Sequence, residues 1–333
     1  MTLDRSTAGR PPARSASRTA PAPVSRQRER PSIRFALAAL ASGAAFWAVY
    51  AAFVLTEVGQ RSENLALLGA VLRSEADRDA SLGRLSLVSV VSYGIAGLLV
   101  FLVATMRRRA QLGLLTVAVM GGSIVAAELL KELLPRPALV DGPAWILRND
   151  FPSGTSTIAA AIGVGMLLVS PDRLRWLALP AAILIAGFVG QATQVAGWHR
   201  LSGSVGGVLL AVAAASMALV VLARAGLVGP SPHGRVSARI RALLVGLGAL
   251  LLLVGAVVLG VFVVFPMLRA PEGASGAFLH TVFDALGAGV TVLVLVAFAL
   301  VIEPFTLGWR ADTPAPQPIR GSGPIRPIRP GGP

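Results

Sequence analysis

VGGVLLAVAAASMALVVLA, residues 205–223, carries no charge and no proline. A bilayer core needs about 20 apolar residues of helix, and this stretch reads as one span. Seven others accompany it: Phe35 to Thr56, Leu85 to Thr105, Leu112 to Leu130, Ile158 to Val169, Leu177 to Val195, Leu243 to Phe265, and Val282 to Ile302. The run from Ile158 is short, but Ser156 and Thr157 can begin its helix and Ser170 can extend it. No apolar run alternates with period two, which argues against a membrane barrel. The chain is predicted to be an all-α, polytopic helical membrane protein with about eight transmembrane helices.

Composition agrees. Of 333 residues, 54% are apolar and 14% charged, against roughly 25% charge in an average soluble domain. The mean hydropathy is +0.72. These values exclude a soluble globular enzyme, a collagen, a coiled coil and a disordered chain. The absence of cysteine excludes a disulfide scaffold, a thiolate metal site and a cysteine nucleophile. No metal and no cofactor is expected.

The net charge of +14 would suggest nucleic acid in a soluble protein, but the charges sort by side of the membrane. With a cytoplasmic N-terminus, cytoplasmic segments hold 21 of the basic residues and outer loops hold 9. Cytoplasmic loops carry such an excess of Arg and Lys, so both termini are predicted to be cytoplasmic and no nucleic acid partner is expected. The basic set is almost all Arg, with Lys131 as its one lysine. That usage is typical of a GC-rich bacterial genome, which makes the plasma membrane the expected location.

Residues 1–34 are rich in Arg, Ser, Pro and Ala, and residues 304–333 contain repeated Pro-Ile-Arg. Neither can bury a core, so both are predicted to be disordered basic tails. Between them lie a six-helix membrane domain over residues 35–223, a cytoplasmic loop over 224–241, and two additional spans over 242–303. The outer connection from Glu57 to Arg84 places Leu65, Leu68 and Leu72 on one helical face. An interfacial helix is expected there, serving as cover rather than chemistry.

Polar groups near membrane segments are expensive, so their clustering carries information. Lys131 and Pro135-Arg136-Pro137 follow the third span. Phe151-Pro152-Ser153-Gly154-Thr155 precedes the fourth, and Gly197-Trp198-His199-Arg200 follows the fifth. All three lie at the outer interface in the predicted topology. The chemistry suits an anion. Lys131 supplies a compact ammonium and Arg136 a forked donor matched to phosphate. Ser153-Gly154 ahead of a helix offers backbone N–H groups at a positive helix end. His199 is a candidate nucleophile or proton carrier.

KELLPRP, FPSGTST and AGWHRLSG, within residues 131–207, resemble in order and spacing the three motifs of the type 2 phosphatidic acid phosphatase/haloperoxidase superfamily, in its membrane lipid-phosphate phosphatase branch. Those motifs are K-x6-R-P, P-S-G-H and S-R-x5-H-x3-D. The resemblance implies a phosphatase-like helical bundle core. It makes Lys131 and Arg136 phosphate ligands, Ser153 and Gly154 phosphate-loop donors, and His199 the nucleophile that forms a phosphohistidine. Four residues rather than six separate Lys131 from Arg136. The catalytic motifs are degenerate at three positions. Thr155 stands where the family has its acid His, Ala192-Thr193 replaces Ser-Arg, and Gly203 stands where the family has the Asp that orients the nucleophile. Arg200 is expected to replace part of the missing positive charge.

The implied function is binding, with weakened hydrolysis, of a lipid or isoprenoid phosphate or diphosphate at the outer face. The alternative is a catalytically dead relative that binds such a lipid as a sensor, scaffold or partner subunit. A transporter using Asp284 has little support, because no pair of broken helices suggests inverted repeats. The phosphate-binding residues are expected to converge in one outer-facing pocket. Supplying the missing groups through Thr155→His with Gly203→Asp is expected to raise hydrolysis.

Overall fold

The computed structural model describes residues 31–71, 74–233 and 272–308, with Leu243 and Gly246 as isolated positions. Apart from those two positions, the predicted span from Leu243 to Phe265 lies outside the described residues, as do the predicted tails up to residue 30 and from residue 309.

The described chain is mostly helical. Helix α1 is Pro31–Val49, continued by a π-helical turn Tyr50–Val54. Next come α2 (Glu57–Val71), α3 (Glu75–Leu85), α4 (Val90–Met106), α5 (Ala110–Leu133), the single turn α6 (Ala144–Leu147), α7 (Gly154–Val169), α8 (Arg175–Val195), α9 (Leu201–Arg224) and α10 (Glu272–Ile302). Strand β1 (Val228–Pro230) pairs antiparallel with β2 (Phe305–Leu307).

Among the described residues, five helical segments are long and apolar enough to cross a membrane: Pro31–Val54, Ala110–Leu133, Asp172–Val195, Leu201–Arg224 and Ser275–Ile302. A sixth arises if α3 and α4, bent by 48°, count as one broken span. The helix of the span expected from Leu85 to Thr105 starts at Val90, because Leu85 ends α3. Ser89 and Ser92 form a reciprocal capping box at the start of α4, and a satisfied N-terminus of that kind restarts a helix instead of continuing one. Helix α7 begins at Gly154, ahead of the expected start, because Ser153 is its N-cap. It has 16 residues, about 24 Å at 1.5 Å per residue.

Helices α7 and α9 form the centre. α7 packs against α5, α8 and α9, while α1 lies along α9. The α7–α9 approach is close because α9 has no side chain where the two backbones meet. A Cβ on Gly207 would stand 2.8 Å from Thr157 N, and one on Gly206 would stand 2.5 Å from the Phe151 ring. Leu37 and Leu40 of α1, most apolar residues of α4, and Leu177 and Leu184 of α8 are exposed. An apolar belt this wide suits a lipid-facing surface.

Two sequence expectations change. Helix α2 is not half-wet: Ser62 through Leu67 are all buried, and Leu68, expected on the packed face, is exposed. Phe305–Leu307, expected in a tail, are buried in the β1–β2 pair. There Arg175 donates to the Ile302 and Phe305 carbonyls at 2.8 and 2.6 Å, and Arg109 donates to the Leu307 carbonyl at 2.5 Å. These donors satisfy carbonyls at and beyond the α10 C-terminus, where helical partners run out.

Candidate functional site

At the opposite end of the bundle, three loops meet. The loop before α7 is fastened to the end of α5 by Asn149. Its Nδ2 donates to the Lys131 and Leu134 carbonyls at 2.9 and 3.0 Å, and its Oδ1 accepts from Phe151 N at 3.2 Å. Phe151 is fully buried, with ring centroids of Phe46 and Tyr50 at 4.9 and 5.4 Å. The Phe151–Pro152 peptide is cis. Ser153 then caps α7, its Oγ accepting from Ser156 N at 3.1 Å, while its own N–H donates to the Gly203 carbonyl at 2.9 Å.

The turn that carries His199 is a helix stop. Gly197 has φ of +71°, a conformation cheap only for glycine. Its N–H reaches the Gln194 carbonyl at 3.0 Å and the Trp198 N–H reaches the Thr193 carbonyl at 2.9 Å, which is the Schellman pattern. His199 follows, with its N–H also on the Thr193 carbonyl at 3.2 Å. Arg200 is the N-cap of α9, so His199 lies outside that helix.

These loops gather Lys131, Arg136, Ser153, Gly154, His199 and Arg200 at one end, but with partners that the motifs do not reveal. Lys131 Nζ bonds both oxygens of Glu128 at 2.9 Å. The pair sits over the start of α7, since a Cβ on Gly154 would overlap Glu128 Oε1 and lie 3.8 Å from Lys131 Nζ. Arg200, 4% exposed, donates from Nη1 to Asp150 Oδ1 at 2.8 Å, from Nε to Asn64 Oδ1 at 3.2 Å, and from Nη2 to the Ile146 carbonyl. Arg200 is thus committed to the fold and has little left for a phosphate. Arg136 shares Asn64 Oδ1 at 3.4 Å, and its buried Nη1 has no hydrogen-bond partner among the described residues.

The degenerate positions behave differently from one another. Thr193 is satisfied by the Gly190 carbonyl at 2.7 Å. Thr155 is half-buried in the first turn of α7. Gly203 faces the Asp150 carbonyl, 3.0 Å from where its Cβ would stand, and Ser153. An Asp there would meet the loop backbone, which overturns the expectation that Gly203→Asp orients His199.

A carboxylate does stand beside His199, and the motifs did not disclose it. Asp150 Oδ2 lies 3.9 Å from His199 Nδ1, which has no hydrogen-bond partner among the described residues, and accepts from Arg200 N at 3.0 Å. Burial alone would push the Asp150 carboxyl up, but Arg200 and His199 outweigh it and hold it below the usual range. Burial, assisted by Lys131, lowers the His199 pKa against the pull of Asp150, so the neutral imidazole is favoured. Helix α2 adds a second acid. Glu63, 1% exposed, accepts from Ser202 N at 2.7 Å and from Ser202 Oγ at 2.9 Å. Burial raises its pKa to about 7, with Arg200 opposing. Glu63, His199, Arg200, Gln194, His280 and Phe283 line one narrow, partly open cleft.

Comparison with known proteins adds no family assignment: no family model, no curated protein and no solved structure matches this chain.

Proposed function

We propose that this chain binds the phosphate of a lipid or isoprenoid phosphate or diphosphate at the outer membrane face and hydrolyses it through a phosphohistidine on His199. The observation that carries this reading is the placement of Asp150 beside His199 Nδ1. With a carboxylate on that side, the other ring nitrogen is left as the nucleophile, and Asp150 offsets the charge that the ring gains as the P–N bond forms. Lys131, the Arg136 Nη1 that has no partner among the described residues, and the start of α7 supply the phosphate-binding side. The excess of Arg in the opposite loops supports an outer location for the His199 end.

The internal pairing of Lys131 with Glu128 favours a second reading, a binder without turnover. A phosphate must displace the Glu128 carboxylate to reach the ammonium, and Thr155 cannot protonate a leaving group. Phosphate release from a panel of lipid mono- and diphosphates by the purified protein in nanodiscs, beside a His199→Ala control, separates the two. Release abolished by His199→Ala supports the hydrolase. Saturable lipid-phosphate binding without release supports the binder.

A further inference from the structure

We propose that Glu63, brought into the site by α2, is the proton donor to the leaving-group oxygen. The inference rests on the hydrolase reading above and supplies the one group that reading lacks. Helix α2 turns its polar residues inward at positions i, i+3 and i+4. Gln60 Nε2 holds the Val54 and Pro137 carbonyls at 2.8 and 2.7 Å, Glu63 meets Ser202, and Asn64 meets Arg136 and Arg200. The connection expected to be cover therefore helps build the site.

Glu63 lines the same cleft as His199. It is fully buried and makes no ion pair among the described residues. The groups around it are Arg200 and His199 from the α8–α9 turn, Asp150 from the loop before α7, Arg136 from the loop after α5, and His280 from α10. Arg200 is already spent on Asp150, and Asp150 opposes ionisation of Glu63. An unpaired carboxyl in such a place holds its proton near neutral pH, and a general acid works best with a pKa near the working pH. Ser202 Oγ can donate to the carboxylate or accept from the acid, so Glu63 keeps a partner in both states.

The step balances. The free nitrogen of His199 attacks phosphorus, the bond from phosphorus to the leaving oxygen breaks, and that oxygen takes its electron pair and the Glu63 proton. Water then attacks the phosphohistidine and gives its proton to Glu63. The P–N bond breaks, its electrons return to the ring, and phosphate departs.

The test compares parent, Glu63→Gln and His199→Ala proteins in nanodiscs on a long-chain alkyl monophosphate and on the diphosphate of the same chain. An alkoxide needs a proton to leave, whereas a phosphate barely does. Glu63→Gln is expected to lower kcat on the monophosphate by at least about 10²-fold, the lower end of a general-acid contribution. The diphosphate rate should fall by less than about tenfold, below the range of a general-acid contribution. The parent's monophosphate rate should also fall as pH rises through about 7, a limb that the variant lacks. Equal losses on both substrates, or no loss, overturn the proposal. If Glu63→Gln does not fold, a parent rate that stays flat above pH 7 overturns it alone. Absence of any His199-dependent release from either substrate overturns the hydrolase reading and this one with it.

Discussion

Glu128 occupies the space against Gly154: a Cβ on the glycine would overlap Glu128 Oε1, and Lys131 Nζ holds both oxygens of that carboxylate at 2.9 Å. An internal anion thus fills part of the cradle proposed for phosphate. Its side chain is 56% exposed, so it can swing away at little cost in packing. Glu128→Gln removes the competitor while keeping the shape. The variant should bind inorganic phosphate at least about tenfold more tightly, equivalent to about 1.4 kcal/mol. Trp198, half-exposed and next to His199, provides a fluorescence signal for the titration. Unchanged or weaker binding would show that Lys131 is not a phosphate ligand.

The Asp150–Arg200 pair is a buried ion pair of the site. Both residues are buried, and their side chains meet at 2.8 Å. Breaking such a pair by removing one partner costs about 3–5 kcal/mol, since the survivor is left charged and dry. Arg200→Met and Asp150→Asn should each lower the unfolding midpoint in detergent, and the double variant should lose clearly less than the sum of the two. Additive losses would mean that the pair is not coupled and that Arg200 stabilises only through its carbonyl acceptors.

The sequence discloses the parts of this arrangement that obey local rules. Apolar runs announce the membrane helices, Ser153 ahead of an apolar run announces a cap, and Gly197 after one announces a stop. Lys131, Arg136 and His199 are visible because charges beside apolar spans stand out. Asp150, Asn149, Asn64 and Glu63 follow no such rule, because their partners lie far away along the chain: Asp150 meets Arg200, and Glu63 meets Ser202. A weak signal existed in α2, where Gln60, Glu63 and Asn64 share one helical face. It was masked by Leu65 and Leu68, which suggest an interfacial helix with its leucines inward. The motif spacing points to position 203 for the orienting carboxylate, and only a helix that contained His199 would put the two on one face. The helix starts after it.

Gly203 offers a direct check on that correction. Its missing side chain would stand 3.0 Å from the Asp150 carbonyl and 3.7 Å from Ser153 N. Gly203→Asp puts a buried carboxylate against the loop backbone, a large penalty among single substitutions. The variant should unfold at a clearly lower temperature and gain no phosphatase activity, alone or with Thr155→His. Gly207→Ala should also destabilise, because its methyl would meet Thr157 N at 2.8 Å and the Ser153 carbonyl at 2.9 Å, which are backbone atoms that cannot step aside. A stable and more active Gly203→Asp protein would restore the expectation drawn from the motifs.

Glu63 ties stability to pH with a definite sign. In an open chain its carboxyl titrates near 4.5, and in the fold burial raises this to about 7. The folded state therefore holds the proton more tightly. Its favourable contribution is complete below pH 4.5 and is lost as pH rises through about 7. Glu63→Gln has no proton to lose and can keep both contacts to Ser202, with its carbonyl accepting from the N–H and its amide donating to the hydroxyl. The stability of the variant relative to the parent should thus rise with pH, by about 3 kcal/mol in total at 1.36 kcal/mol per pKa unit. Most of that change should fall between pH 5 and pH 7.5 and level off above. Unfolding midpoints of both proteins in one detergent, at four pH values across this range, give the comparison. A difference that stays flat with pH would mean that Glu63 is ionised in the fold throughout, and would remove the proton that the proposed hydrolysis needs.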